Sequence, residues 1–190
     1  LHAQAAASND PMAVQVVADF EAGVNRFEKK LHDLKISKTI AIQTAPQIRL
    51  IQNNDKALIA VTAGTPTAAG FTADKRKEAG SQHIDMGIAE EQAVAMISGM
   101  AKGGLYPVWT VYSTFLQRTY DQIAQDLCIN SNPAVINVVG GGVYSMNDIT
   151  HICLFDIPML CSIPGLVYLA PTTCEEYFAM MRWAILQDRK

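Results

Sequence analysis

The residues of this chain best suited to chemistry start with two adjacent glutamates, Glu90 and Glu91, inside the run Asp85-Met-Gly-Ile-Ala-Glu-Glu-Gln-Ala-Val-Ala-Met-Ile-Ser-Gly-Met-Ala-Lys-Gly-Gly104. From Ala89 to Lys102 the residues favour helix, Gly103-Gly104 is a stop signal, and carboxylates in a first turn suit the positive end of the helix dipole. Helical phase puts positions 90, 93, 94, 97 and 101 on one face, where Glu90 is accompanied only by Ala93, Val94, Ile97 and Ala101. Glu91, Ser98 and Lys102 make the polar face. Glu90 is therefore expected to face the interior and Glu91 the water. A carboxylate in an apolar setting must be protonated, raised in pKa or hydrogen-bonded to a group that compensates it, which makes Glu90 a candidate acid or base. The structural alternative is that Glu90 caps its own helix or lies at the margin of the apolar stripe.

A second constellation is Phe115 with Arg118, three residues apart on a helix that Thr114 and Gln117 are expected to open as a capping box. An aromatic ring beside a planar cation can stack on and hydrogen-bond a flat heterocycle, while Phe115 taken alone reads first as core. His2, His32, His83 and His151 are far apart without metal-ligand spacing, so no metal centre is expected, and His151 by itself fits a satisfied structural histidine. Gly140-Gly-Gly142 runs into Val-Tyr-Ser-Met-Asn rather than a helix opening and forms no known nucleotide-binding pattern, so it reads as a turn before it reads as a phosphate loop. Cys128, Cys153, Cys161 and Cys174 lack C-x-x-C spacing and lie among apolar residues, which predicts reduced, buried thiols.

Positioning these groups requires a core, and 190 residues with 49% hydrophobic and 17% charged residues supply one. The net charge of −3 with scattered Lys and Arg argues against nucleic-acid and membrane-surface partners. No apolar run approaches a membrane span and no signal pattern opens the chain, so the cytoplasm is the expected location. The chain opens on Leu1 rather than Met and is expected to be a piece of something longer. Residues 1–42 read as a linker and a long helix from Pro11 to Leu34, an appendage to a domain over 43–190. In that domain a helix over Gln47 to Asn53 precedes strands over 57–62, 106–111, 134–139 and 166–170. Between them lie a partly helical crossover at 65–82 and helices at 89–102, 114–127, about 155–162 and 173–186. Strand and helix alternate with few hairpin signals, which predicts an α/β parallel sheet flanked by helices, with ligands beyond the carboxyl ends of its strands near 63–67, 112–114 and 140–151.

Four strings together resemble one family: Asp85-x-Gly-Ile-Ala-Glu90; Tyr112-Ser-Thr-Phe-Leu-Gln-Arg-Thr-Tyr-Asp-Gln122; Thr150-His151 with Phe155-Asp156-Ile157; and Ile163-Pro-Gly-Leu-Val-x-x-Ala170-Pro171. In this order they resemble the thiamine-diphosphate enzymes of the transketolase group, and within it the 1-deoxy-D-xylulose 5-phosphate synthases. The resemblance covers about 57–186 and leaves 1–42 outside. It implies the thiamine-diphosphate-binding fold and its pyrimidine-binding module. It also implies roles: Glu90 bonding N1′ of the aminopyrimidine, Phe115 stacking on that ring, Tyr112 and Arg118 in the adjoining polar wall, and His151 facing substrate as donor or proton carrier. The implied reaction joins pyruvate and glyceraldehyde 3-phosphate into deoxyxylulose phosphate with release of CO2. In the family, diphosphate and Mg²⁺ are held by a separate domain with a Gly-Asp-Gly motif that these residues lack. The implied partners are that domain or subunit, a C-terminal domain and a second copy in a homodimer, and the chain alone is expected to be inactive.

Two departures bear on substrate. Gln92 stands where the synthases have histidine, and the loop Val139-Gly-x-Gly-x-x-Ser-x-Asn-Asp-x-Thr-His151 lacks the family's Asp-Arg pair and its Asp-Gly. The alternatives are therefore a ketol or acyl transferase with a different substrate, or a non-catalytic assembly module of the same fold.

Overall fold

The computed structural model describes residues 57–141, 149–151 and 153–186. The helices expected at Pro11 to Leu34 and Gln47 to Asn53 lie outside the described residues. The first strand, β1 (Leu58–Thr62), is buried at every position, as a strand covered on both faces must be. Leu58 and Ala60 point to one apolar cluster, with Phe71, Ala79, Val108, Met181 and Ile185. Ile59 and Val61 point to the other, with Ala93, Val94, Ile97, Trp109 and Leu116. Strands β2 (His83–Asp85), β3 (Tyr106–Tyr112) and β4 (Val135–Val139) complete a sheet of order β2-β1-β3-β4, parallel throughout.

Helices α1 (Ala73–Ala79) and α2 (Glu90–Lys102) make the first two crossovers, packing on opposite faces of the sheet. The third is a broken helical path: α3 (Ser113–Leu116), a 3₁₀ turn (Gln117–Thr119), α4 (Tyr120–Gln122) and a π-helical segment (Ile123–Ile129). Two helices follow, α5 (Asp156–Cys161) and α6 (Cys174–Leu186). Thr173 caps α6 as expected: its Oγ1 accepts from Glu176 N–H at 3.1 Å, and Glu176 accepts from the Thr172 amide at 2.8 Å. The α/β parallel sheet read from the sequence is therefore the fold.

Four local expectations are corrected. The edge strand β2 was absent from the sequence reading, because His83-Ile-Asp85 is short and carries one apolar residue. Leu166 to Ala170 joins no sheet among the described residues. Leu166 and Tyr168 pack on the core while Val167 and Leu169 stay exposed, so its apolar run records one-sided packing rather than a ladder. All four cysteines are free, yet only Cys153 is buried; Cys161 and Cys174 are exposed at the last position of α5 and the first of α6. Ser98, placed on the polar face of α2, is 6% exposed.

Ser98 is buried because the π-helical segment offers it a partner. Its Oγ donates to the Asp126 carbonyl at 2.7 Å and accepts from Asn132 Nδ2 at 2.8 Å. Ser98→Ala removes both bonds while the Asp126 carbonyl keeps the Asn130 and Asn132 amides as donors, so it is expected to cost about 0.5–1.5 kcal/mol, read as a lowered urea midpoint, whereas Lys102→Ala on the solvated face should stay within about 0.5 kcal/mol.

On the opposite face, His83 lies against Phe71 with ring centroids 4.5 Å apart, and its Nε2 is 3.2 Å from Thr62 Oγ1. Burial lowers the His83 pKa below 6.5; Asp85 acts in the opposite direction and Arg76 adds to the lowering. The unfolded chain takes up this proton more readily, so the contribution to stability is complete above pH 6.5 and is lost as pH falls through the depressed value. Urea unfolding at about pH 7.5 and about pH 5.5 should show this loss, and His83→Phe, which keeps the ring contact without the titration, should show a smaller one.

Candidate functional site

The site grows from the carboxyl ends of the strands. After β1, Gly64 takes φ +71, and a Cβ there would meet Ile88 Cγ1 at 2.8 Å. After β2, Asp85 Oδ1 accepts from the amides of Gly64 and Gly87, each at 2.9 Å. This explains the spacing Asp85-x-Gly87: the carboxylate folds the chain into a turn that delivers Glu90 to the first position of α2. Glu90 is 2% exposed, and all of its expected companions on the apolar face are buried with it.

Compensation comes from the third crossover. Arg118 Nη1 donates to Glu90 Oε2 at 3.2 Å, and Arg118 Nε lies 3.9 Å from Glu91 Oε1. The Glu91 side chain is 48% exposed, so the two glutamates divide between interior and solvent as helical phase predicts. The positive end of the α2 dipole acts on Glu90 in the same sense as the guanidinium. Arg118 reaches across because the 3₁₀ turn interrupts the helix after Leu116, and the buried Thr119 hydroxyl donates to the Leu116 carbonyl at 2.8 Å.

Phe115 is half-buried and meets two other expected residues edge-on, Tyr112 at a centroid distance of 6.0 Å and His151 at 5.5 Å. The five candidates thus form an ion pair, Glu90 with Arg118, and an aromatic group, Tyr112, Phe115 and His151. The path from Tyr112 to Arg118 carries three of them and links the two sets. The capping box is not formed: α3 starts at Ser113, and its N-cap, Tyr112, makes no side-chain cap bond. Ser113 Oγ instead donates to the Gly140 carbonyl at 2.9 Å, and Thr114 Oγ1 to the Thr150 carbonyl at 3.1 Å. These hydroxyls were not among the sequence candidates; their only signal is two consecutive hydroxyl residues at a strand's carboxyl end. Asp156, 8% exposed, also lies here, 3.4 Å from the Tyr168 hydroxyl, whose pKa is raised by burial and then by that carboxylate. Gln92 is exposed on α2. Among the described residues, no three or more His, Cys, Asp or Glu side chains are grouped to hold a metal, and no helix is long and apolar enough to cross a membrane.

A buried carboxylate, a guanidinium on it and a half-buried aromatic ring make a surface for a flat, nitrogen-bearing heterocycle. The model of the transketolase pyrimidine-binding domain matches residues 40–190. The chain belongs to this family. A second family model, toxic anion resistance protein (TelA), matches residues 1–64. The 1-deoxy-D-xylulose-5-phosphate synthase of Clostridium acetobutylicum is 39% identical over 141 residues, which are 74% of this chain and 22% of that enzyme. The enzyme of the same name from Clostridium perfringens is 39% identical over 137 residues, 72% of this chain and 22% of the relative. The chain thus spans about a fifth of the length of these relatives. A solved structure described as a split gene transketolase, inactive beta4 tetramer, shares the fold with a TM-score of 0.62 at 18% identity, over 76% of this chain and 46% of that one.

The pair at the centre of this pyrimidine-binding domain can be measured directly. A double-mutant cycle of Glu90→Gln and Arg118→Met, read by urea unfolding, should give a coupling of about 1–3 kcal/mol. That lies above the ~0.2–1 kcal/mol of exposed pairs and below the ~3–5 kcal/mol of buried ones, because Arg118 is half in solvent. A cycle of Glu91→Gln with Arg118→Met should give less than about 1 kcal/mol.

Proposed function

We propose that this chain is the pyrimidine-binding part of a thiamine-diphosphate-dependent transferase that makes deoxyxylulose phosphate and CO2 from pyruvate and glyceraldehyde 3-phosphate. The observation that carries the reading is Glu90: a carboxylate 2% exposed, on an apolar helix face, at the position where the family's motif has its pyrimidine-binding glutamate. The residues suit that half of the cofactor: a buried carboxylate acceptor is paired with Arg118, and the Phe115 ring lies three residues before Arg118 on the same crossover. When bound, thiamine diphosphate supplies an acidic C2–H whose ionisation makes that carbon nucleophilic. Glu90 holds and exchanges a proton at its carboxylate, opposite the N1′ position of the pyrimidine. Phe115 offers its ring to the pyrimidine face, Tyr112 and Arg118 fill the polar wall, and His151 carries a proton or donates a hydrogen bond on the substrate side.

In this reading the diphosphate-binding domain, with its Mg²⁺, and a C-terminal domain come from the same enzyme, assembled as a homodimer in the cytoplasm, with residues 1–42 as an appendage. A ketol or acyl transfer on another substrate is the second reading. The changed loop from Val139 to His151 favours it, since the family's Asp-Arg pair is replaced by Val139-Gly140. Retention of Glu90, Phe115 and Arg118 weighs against a purely structural module.

The test is C2 proton exchange of thiamine diphosphate, followed by NMR, in the chain combined with its diphosphate-binding domain. Glu90→Gln preserves shape but removes the exchangeable acid, and exchange should slow by about 10²–10⁴-fold. Glu91→Gln should change it little. Equal effects at the two positions, or a silent Glu90→Gln, would overturn the reading.

A further inference from the structure

Neither hydroxyl at the start of α3 serves its own helix. Ser113 Oγ holds the carbonyl of Gly140, where β4 ends, and Thr114 Oγ1 holds the carbonyl of Thr150. Thr150 Oγ1 lies 2.9 Å from His151 Nδ1, and the His151 ring meets Phe115 at an interplanar angle of 79°. Phe115 follows Thr114 in the chain, so the contacts close a circuit: Thr114 to Thr150, Thr150 to His151, His151 to Phe115, and back through one peptide bond.

We propose that Thr114 and Thr150 are positioning residues for His151, fixing the place and orientation of its imidazole against the Phe115 ring, with Ser113 anchoring the end of β4 to the same turn. What the imidazole does when so held rests on the reading of His151 as the substrate-side proton carrier. The positioning itself follows from the circuit. Thr114 locates the peptide unit that Thr150 shares with the His151 N–H, Thr150 engages Nδ1, and Phe115 limits rotation of the ring. Each bond alone is modest, and closure into a circuit makes them act together.

Proton NMR of the 190-residue chain without cofactor tests this, with the His151 ring signals assigned by their loss in His151→Gln. The wild type should show nuclear Overhauser contacts between the His151 and Phe115 rings. Thr150→Val should weaken them, and Thr150→Ser should restore them. Thr114→Val should speed amide exchange at His151 by about 2- to 12-fold, the range for losing one hydrogen bond, and Thr114→Ser should reverse it. Absent ring contacts in the wild type, unchanged contacts in Thr150→Val, or unchanged exchange in a folded Thr114→Val would each overturn the proposal. Should circular dichroism show Thr114→Val unfolded, the Thr150 variants, at an exposed position, decide the matter. Because the readout needs no cofactor, it can fail while the C2 exchange result stands, and the converse.

Discussion

A carboxylate taken out of water and placed at the head of a helix is the constraint on which the rest of this domain depends. Glu90 has two sources of compensation, the peptide dipoles of α2 and the guanidinium of Arg118. The first requires that the helix start at Glu90 and not a residue later, which the Asp85 turn enforces by gathering the amides of Gly64 and Gly87. The second requires that the third crossover approach the head of α2. A straight helix from Ser113 would carry Arg118 around with its own phase. The 3₁₀ turn changes that phase at Arg118, and the wide turns of the π-helical segment beyond it are tied to α2 through Ser98.

The sheet supplies the rigidity this arrangement needs. With apolar clusters on both faces, β1 and β3 are held from two sides, and the site groups emerge from the carboxyl ends of β2, β3 and β4. Tyr112 is the last residue of β3, and Phe115 follows within a turn, so the aromatic group inherits the strand's position rather than that of a long loop.

The sequence made the outline readable because strong periodic signals dominate it. The separate fates of Glu90 and Glu91 followed from helical phase, and β1 and β3 from their apolar runs. Interactions that join residues distant in the chain were not readable. Ser98 has a polar phase, and the Asp126 carbonyl and the Asn132 amide, folded against it from elsewhere in the chain, explain its burial. Thr114 has the local grammar of a cap, yet its hydroxyl serves Thr150. Arg118 was expected beside Phe115, but its ion pair with Glu90 depends on a break in the helix that no breaker residue announces. Leu166 to Ala170 shows the converse error, since an apolar run reports that side chains can pack and says nothing of where the backbone bonds go.

The polar groups crossing the sheet near its carboxyl ends carry a further consequence. Thr62, Thr110 and Asn137 are buried and stand opposite one another on β1, β3 and β4. Asn137 Nδ2 donates to Thr110 Oγ1 at 3.3 Å, and the Tyr177 hydroxyl of α6 donates to Asn137 Oδ1 at 3.2 Å. A strand covered on both faces has no inside and outside to distinguish, so sliding it by one residue would exchange one apolar side chain for another at little cost. The polar row removes that degeneracy. Any slip would carry a hydroxyl or an amide into hydrocarbon without its partner. Three modest residues therefore act as the alignment key of the sheet, and through it they set the height at which Tyr112 and the turn after it present their side chains.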